Sequence, residues 1–521
     1  MRVFVWIVLA AFVNSTLAAA AMPPVSPAAP LTAARKRTAA AALTPPPLPP
    51  IPLTTDLPSA LESQLPDLSS AAYVALPENE QVQIGYAMML QMRAQNQLLD
   101  DPEVEEYLNS VGKRLASESD MGGATFHYLC VNTPVINSFA APGHFVFIDS
   151  GIIIFSKTES QLAGVMAHET AHEVQNHLAR GLLNAEHANV ESLAAMLATI
   201  LLGAIGGGGG QAIEGGVVAS QGLAAQERID YSRSIEEEAD RVGLELLAAA
   251  GFDPEGMPDM FNRMMRMEGV QDAWVPAVLI DHPITEDRIA YLRAHAAQYP
   301  PVPDTSSPDY YIIKARVRVL TAPADEDVQR YFANRIAHGD HSVGTMYGDA
   351  LALMRDRHAR RAVRILAKLL RQHPDLHLLY SALGQAQAQA GEMPEALATF
   401  AKAMRLFPLN VPVTVRYAET LMADGRNAQA HALLFHLFNI VDPTPGEIQL
   451  TARAASAAGD LGDAYYYMGY YQLSLGNVPL AVKQYQIALS MPHLNRIQRA
   501  RIGAALKQAR GYLARMRRHS S

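Results

Sequence analysis

Apolar positions recur at helical spacing through most of the chain beyond residue 78. The helical pattern is clear in residues 78–118, in ESQLAGVMAHETAHEVQNHLARGL and in SIEEEADRVGLELLAAAG. Two shorter runs, FHYLCVN and HFVFIDSGIIIF, have the β-branched and aromatic content of strands. The pattern predicts a mainly helical protein with one small sheet.

The C-terminal part of the chain repeats with a period of 34 residues, the period of tetratricopeptide repeats. The positions that keep this spacing are Gly391, Gly425 and Gly459, then Ala362, Ala396, Ala430 and Ala464, and also Pro374 and Pro408. We expect the small residues to lie where paired helices cross closely. The last unit, with Gly476, is offset by half a repeat, which predicts one helix that serves two units.

A tyrosine cluster marks this last unit, and it has two interpretations. Its members are Tyr465, Tyr466, Tyr467, Tyr470 and Tyr471. They could form a recognition face, but we expect at least some of them to pack in the core. The helices predicted at 310–340 would join the array to the preceding domain.

Length and charge limit the class of protein. A chain of 521 residues is too long for one ordinary core, so we expect two folded domains. The net charge of −9 argues against general binding of nucleic acid. The only cysteine, Cys130, excludes an intramolecular disulfide and is expected to be a small buried residue.

The N-terminus has the pattern of a secretory signal. Arg2 precedes the apolar stretch VFVWIVLAAFV, and four alanines at 18–21 offer a cleavage site. We expect residues 1–21 to be a signal peptide, with an uncleaved anchor as the alternative, and the product to reach the periplasm. The Ala/Pro-rich residues 22–68 cannot build a core and are expected to be a disordered tether.

The sequence HETAH, residues 168–172, is the strongest chemical signal in the chain. On a helix His168 and His172 share one face, so both imidazoles can reach one metal ion. Glu169 lies beside the first ligand and can act as the general base on a metal-bound water. Zinc is the expected metal because it uses such ligands with one position open for water. The flanking apolar residues predict that this helix is buried.

A third ligand must come from another segment. Gln175 and Leu178 exclude the pattern HExxHxxGxxH. At 100° per residue His177 would lie on the opposite face from His168, which predicts a surface histidine or one behind the ligands. The candidates are then the acidic residues of SIEEEADRVGLELLAAAG, namely Glu236, Glu237 and Glu238, and the residues alone do not choose among them. Asp240 could orient a metal-bound histidine.

HExxH followed by SRxxExxAD resembles the M48 metallopeptidases. Matches in INSFAAPG, GFDP and HPITEDRI extend the resemblance to the periplasmic branch of that family with C-terminal helical repeats, the β-barrel assembly-enhancing proteases. The resemblance covers roughly residue 65 to the C-terminus. It implies one Zn²⁺ held by His168, His172 and Glu236.

The resemblance also implies roles for residues outside the zinc motifs. His282 would return to the metal cleft, either as a fourth ligand in a closed resting state or as a stabiliser of the oxyanion, and Arg288 would orient a partner. The strand after Pro142-Gly143 would be the sheet edge that binds an extended substrate. His144 replaces a second glycine there, and we expect it to be exposed.

Residues 193–216 combine an apolar stretch, LAAMLATILLGAIG, with a glycine run. Fourteen apolar residues are too few to span a bilayer, and a mobile lid or plug over the active site is the favoured interpretation. A disordered surface loop and a contact with a membrane or an unfolded client are the alternatives.

Together these patterns predict a gluzincin-type α+β metalloprotease domain at 69–300, linking helices at 301–340 and an α-helical tetratricopeptide-repeat solenoid at 341–515. The resemblance implies a zinc endopeptidase in the assembly and quality control of outer-membrane proteins. Its substrates would be unfolded or stalled outer-membrane proteins, and its repeats would contact the β-barrel assembly machinery, with peripheral membrane contact as a further option. The alternative is a chaperone-like repeat scaffold in which proteolysis is latent.

Overall fold

The computed structural model describes residues 78–121, 123–184, 222–268, 282–303 and 306–519. The expected signal peptide, the tether and the segment 193–216 lie outside these ranges. Among the helices of the described ranges, none combines the length and the apolar character needed to cross a bilayer.

The N-terminal half contains eight of the described helices and three strands. They are α1 (Glu78–Ala94), α2 (Pro102–Ser117), β1 (His127–Val131), β2 (Ser138–Ala141), β3 (Phe145–Asp149), α3 (Ser150–Phe155), α4 (Glu159–Val174), α5 (His177–Asn184), α6 (Gly222–Ala249), α7 (Gly256–Glu268) and α8 (Glu286–Ala296). This matches the predicted class, a mainly helical protein with one small sheet.

The sheet has the order β1-β3-β2, with β3 parallel to β1 and antiparallel to β2. The strand after Pro142-Gly143 is therefore the central strand, and its expected place at the sheet edge is wrong. All five residues of β3 are buried, which is the environment of a strand covered on both faces. Strand β2, which is the SFAA part of the INSFAAPG segment, lies at an edge of the sheet instead.

The apolar run HFVFIDSGIIIF is not one strand, because the strand ends at Asp149 and Ser150–Phe155 forms the short helix α3. A short apolar run does not distinguish a buried strand from a buried helix by periodicity. Gly151 allows the turn to pack tightly, since a Cβ there would lie 2.0 Å from the carbonyl oxygen of Val135.

Helix α4 is enclosed by α6 and α7, as its apolar flanks predict. Two glycines permit this close packing. A Cβ at Gly164 would lie 2.8 Å from the Cα of Met257 in α7, and one at Gly243 of α6 would lie 3.1 Å from backbone atoms of Ala167. The contact at Gly243 brings the acidic segment of α6 beside the HExxH turn. Helix α6 ends at Ala249, and Gly251 follows in the left-handed conformation expected of a helix stop.

The C-terminal half is helical throughout its described residues. Its helices are α9 (Pro308–Thr321), α10 (Val328–Ala337), α11 (Val343–Arg355), α12 (Ala359–Gln372), α13 (His377–Gln389), α14 (Met393–Leu406), α15 (Val411–Ala423), α16 (Asn427–Leu437), α17 (Pro445–Ala457), α18 (Leu461–Ser474), α19 (Val478–Ser490) and α20 (Arg496–His519). Helix α18 packs on both α17 and α19, as other repeat helices do on their neighbours, so one helix serving two units stays a prediction.

The repeated small residues play two different structural roles. Ala362, Ala396 and Ala430 are fully buried between helices, as expected. The repeated glycines lie instead in the turns between paired helices, with φ of 83° at Gly391 and 75° at Gly425. Their predicted place at helix crossings is wrong, because the turn needs a left-handed residue rather than a close approach.

The tyrosine cluster divides between core and surface. Tyr467 is buried, while the other four are partly exposed on α18. Core packing of at least one member is therefore confirmed.

The two halves of the chain share one hydrophobic core. A single cluster of buried residues runs from Val104 of α2 to Ala386 of α13. A buried ion network crosses the same boundary, because Arg416 of α15 lies 2.8 Å from Glu103 and 2.9 Å from Asp101. Arg316 of α9 contacts the same two carboxylates at 3.0 and 2.7 Å.

Candidate metal centre

Four potential metal ligands converge at the C-terminal half of α4. His168, His172, Glu236 and His282 offer ligand atoms that all lie within 4.8 Å of one another. The two HExxH imidazoles face each other with their Nε2 atoms 3.2 Å apart. Glu236 Oε2 lies 3.4 Å from His168 Nε2, and Glu236 Oε1 lies 3.7 Å from His172 Nε2.

The structure distinguishes the three consecutive glutamates that the sequence left open. Glu236 is buried and faces the histidines, whereas Glu237 is exposed. Glu238 points to another cluster, where it lies 2.9 Å from Arg180 and 3.3 Å from His177. Successive residues of a helix differ by about 100°, so only one of the three can face the same neighbour.

His282 also lies in this cluster, as the resemblance implied. Its Nδ1 is 2.9 Å from Glu236 Oε1 and 3.5 Å from His168 Nε2. Its Nε2 is 3.9 Å from Glu169 Oε1. The side chain therefore touches both the ligand set and the candidate base.

Both HExxH histidines are anchored through the ring nitrogen that faces away from the cluster. His168 Nδ1 lies 3.1 Å from Asp240 Oδ1, and His172 Nδ1 lies 2.9 Å from His177 Nδ1. A proton on each Nδ1 leaves Nε2 as a lone-pair donor directed at the common point. This is the arrangement that orients metal-bound histidines in proteins.

His177 lies in the layer behind the ligands and not at the surface. It is 5% exposed. The structure thus selects the second of the two positions that the sequence left open for this histidine. Helix α4 ends at Val174, and Asn176 adopts a left-handed φ of 53°. The chain then starts a new helix, which turns His177 back toward His172.

Glu169 is held at the cleft by β2. The Ser138 hydroxyl donates a hydrogen bond to Glu169 Oε1 at 2.7 Å. Within the described residues, the buried Glu169 Oε2 has no hydrogen-bond partner. One carboxylate oxygen is thus fixed and the other is available. Sequence reasoning missed Ser138, whose only signal was its place in the INSFAAPG segment.

His144 is buried rather than exposed, which corrects the expectation for this position. It is 6% exposed and has a left-handed φ of 69° in the turn between β2 and β3. Its backbone N–H donates to Glu173 Oε2 at 2.9 Å. Glycine suits this position because the turn before β3 needs a residue with positive φ. Burial raises the pKa of the Glu173 carboxyl to about 8.

The ligand cluster is strongly coupled electrostatically. Burial lowers the pKa of His168, but contacts with Asp240 and Glu236 outweigh it and raise the pKa to about 10. Burial and the neighbouring charges of His168 and His282 hold the pKa of His172 well below its usual value. Burial would raise the pKa of Glu236, but the charges and hydrogen bonds of His282 and His168 lower it overall.

The donor set fits a divalent cation. Two imidazole nitrogens and one carboxylate, buried and directed at one point, are the ligands that zinc uses at catalytic sites. The buried Glu236 Oε2 lies 3.4 Å from His168 Nε2 and 3.1 Å from Arg288 Nη2, and these contacts hold the carboxylate beside the histidines.

In a second group of possible ligands, which lies in the repeats, the two carboxylates already have protein donors. It consists of His431, Asp460 and Asp463. Gln498 donates to both carboxylates, at 2.9 Å to Asp460 and 3.0 Å to Asp463, and Arg501 pairs with Asp463. This group therefore works as a link between helices.

The chain is similar to known proteins over most of its length. Residues 102–296 match the family described as Peptidase family M48, and residues 387–445 match a tetratricopeptide repeat. The chain is 30% identical over 453 residues to the beta-barrel assembly-enhancing protease of Escherichia coli K12, covering 86% of this chain and 91% of that protein. The corresponding values for the Yersinia pestis protein of the same name are 28% over 462 residues, with 87% and 93% covered. The mitochondrial metalloendopeptidase OMA1 of Schizosaccharomyces pombe is 32% identical over 183 residues, which are 35% of this chain and 50% of that protein.

Proposed function

The chain belongs to peptidase family M48, and from that premise we propose that it is a zinc-dependent endopeptidase of the periplasm that acts in the assembly and quality control of outer-membrane proteins. Its class, a metalloendopeptidase with tetratricopeptide repeats, follows from the family and from the named relatives. The identity of the metal, the compartment and the clients are the proposal.

One observation carries the assignment of the site. The Nε2 atoms of His168 and His172 and the carboxylate of Glu236 surround one point, while protein groups occupy both Nδ1 atoms. We assign these three residues as the zinc ligands. When bound, zinc polarises the scissile carbonyl and lowers the pKa of a water molecule.

The protein's own residues would supply the proton transfers. Glu169 accepts the Ser138 hydroxyl on one oxygen, Oε1, and its other oxygen, Oε2, has no hydrogen-bond partner among the described residues. That oxygen would take a proton from the attacking water and return it to the nitrogen of the leaving amine. The attack forms the bond between water oxygen and carbonyl carbon, and the proton return accompanies cleavage of the C–N bond.

The edge strand β2 supports binding of an extended substrate. Within the described residues β2 pairs on one side only, with β3. An extended peptide can add to such an edge through main-chain hydrogen bonds. Since Ser138 of β2 touches Glu169, a peptide on this edge would pass the candidate base.

The first experiment compares the mature protein with three variants for metal content and casein cleavage. We expect one zinc per chain and cleavage in the parent. Glu169→Gln should keep the metal and lose at least 100-fold of the activity, in line with loss of a general base. Glu236→Ala should lose metal and activity together, and Glu237→Ala, at the exposed neighbour, should keep both. A metal-free parent with full activity would contradict the site.

The role in assembly needs a test on a relevant client. The names of the relatives refer to β-barrel assembly. We expect the protein to cleave an outer-membrane β-barrel protein that is kept unfolded and to spare the same protein after folding in detergent. Equal cleavage of both forms would contradict quality control as the role.

The alternative of a scaffold with latent proteolysis is best tested with point variants. A deletion of residues 340–521 would cut through the core shared by Val104 and Ala386, so its loss of function would not isolate binding by the repeats. Normal client binding by Glu169→Gln, together with an inactive parent, would favour the scaffold.

A further inference from the structure

A groove on the protease domain lies beside the N-terminal end of the edge strand. It has a volume of 430 Å³, and its lining includes Ile136, Ile154 and Phe155 as apolar wall. Arg263 of α7 and Arg318 of α9 belong to different helices and line the same groove. Among the described lining residues Glu326 is the only one with a carboxylate, and it is exposed.

The two arginines are held by neutral partners. The Arg263 guanidinium lies 4.4 Å from the centre of the Phe155 ring and donates to the amide oxygen of Gln161 at 3.2 Å. The Arg318 guanidinium lies 4.3 Å from the centre of the Tyr331 ring. These contacts fix the orientation of the side chains without neutralising their charge.

The lowered pKa of a nearby lysine indicates a positive electrostatic potential around this groove. Burial lowers the pKa of the Lys314 ammonium to about 8, assisted by the charges of Arg263, Arg318, Arg335 and Lys157. Several cations therefore lie close enough to act on one amine. A concave surface with this charge attracts anions.

One lining residue of the groove lies close along the chain to Ser138. Ile136 lies two residues before Ser138, whose hydroxyl binds Glu169. Two residues of extended chain span at most ~7 Å. A peptide that pairs antiparallel with β2 runs opposite to it, so its C-terminal side is directed from Ser138 toward Ile136 and the groove.

We propose that this groove binds the C-terminal carboxylate of a protein substrate. Arg263 and Arg318 donate to the carboxylate, and an apolar terminal side chain packs against Ile154 and Phe155. The protease would then favour scissile bonds about three residues from a chain end, given the short span from Ser138. This substrate preference rests on the proposed endopeptidase function.

A matched pair of peptides tests the proposal with the full chain. The peptides share one cleavable sequence and an apolar last residue, and one ends in a free carboxylate while the other ends in a carboxamide. We expect KM to be about tenfold lower for the acid peptide, the effect of one charge-assisted hydrogen-bond pair at a solvated site. The kcat values should agree, because the carboxylate does not touch the reacting atoms.

Three variants and one control variant test which residues produce the preference. Arg263→Gln and Arg318→Gln should each raise KM for the acid peptide toward the value for the amide and leave the amide unchanged. Arg263→Lys should keep part of the preference because it keeps the charge. Arg266→Gln, at an exposed arginine on the same helix, is the control and should keep the full preference. Thermal unfolding of each variant checks that the fold is retained.

The proposed role of the groove can be contradicted while the proposed function of the protein stands. Equal KM values for the two peptides, or a preference that survives both Arg→Gln changes, would contradict carboxylate binding in the groove. Neither result would affect the proposed protease function. If neither peptide is cleaved, the proposed endopeptidase function is contradicted. The ratio of the two Kd values for binding of the labelled peptides to Glu169→Gln still tests whether the groove recognises the carboxylate. Stronger displacement of the acid peptide by inorganic phosphate than by unlabelled peptide would assign the site to phosphate and overturn the proposal.

Discussion

Asp240 and Arg288 form a two-point ion pair behind the candidate metal ligand His168. Arg288 Nε and Nη2 donate to the two oxygens of Asp240 at 2.7 and 2.8 Å. Asp240 Oδ1 lies 3.1 Å from His168 Nδ1, and Arg288 Nη2 lies 3.1 Å from Glu236 Oε2. One guanidinium therefore orients two candidate ligands that come from different helices.

Replacing Arg288 should weaken metal binding more than it weakens the fold. In Arg288→Met the Asp240 carboxylate loses its clamp, and we expect the affinity for zinc to fall about 10–100-fold, the range seen when partners of metal ligands are removed. Competition with a chromogenic chelator measures the change. Arg293→Met is the control, because Arg293 lies on the same helix and pairs with Asp259 at an exposed site. An unchanged affinity in Arg288→Met would exclude the positioning role.

His282 can occupy the position that an incoming substrate or water requires. Because its Nδ1 already lies 2.9 Å from Glu236 and 3.5 Å from His168, we expect a closed resting site. His282→Ala should then raise basal casein cleavage severalfold. His338→Ala, at an exposed histidine, should leave the rate unchanged. A fall in cleavage would instead support stabilisation of the oxyanion, and an unchanged rate would exclude both roles.

The buried ions between the two halves of the chain should contribute strongly to stability. Arg416→Ala would leave the fully buried Glu103 with one guanidinium instead of two. Removing one partner of a buried ion pair costs about 3 kcal/mol in the free energy of unfolding. Urea unfolding measures this loss, with Arg453→Ala at an exposed position of α17 as the control. A loss no larger than that of the control would show that the network adds little.

Lys314 should make stability depend on alkaline pH. Its folded pKa of about 8 lies below the usual 10.5, so the folded state binds its proton less tightly than the unfolded state does. The loss of stability caused by burying the charged Lys314 is complete below pH 8 and disappears as the pH rises toward 10.5.

Relative to Lys314→Met, the free energy of unfolding of the parent should therefore rise by on the order of 2 kcal/mol between pH 7 and pH 10. This value allows for solvent screening at a half-buried site. Urea unfolding of both proteins at the two values of pH checks this. Lys368→Met, at an exposed lysine, should show no such trend, and a parallel response of Lys314→Met and parent would contradict the expected pKa.

The pattern of this sequence predicts local features well and long-range ones poorly. The helical turn of HExxH, the burial of α4, the stop at Gly251 and the period of 34 residues all depend on neighbours within one or two turns. The strand order was mistaken, because the apolar content of Phe145–Asp149 shows burial but not which strands lie beside it. The sequence left open whether His177 lies at the surface or behind the ligands, because no periodicity shows that the left-handed residue Asn176 changes the helix direction.

By itself the sequence determined the chemistry of the site and the class of the protein. The spacing of His168 and His172 places both on one helix face because the helical pitch is fixed by backbone hydrogen bonds, and the motifs and repeats identified the family. Only the tertiary structure decided which glutamate faces the histidines, how Ser138 holds the candidate base, and that protease and repeats share one core. Those relationships join residues far apart in the chain, and they follow from the packing of whole elements, such as the close contact of α4 with α6 at Gly243.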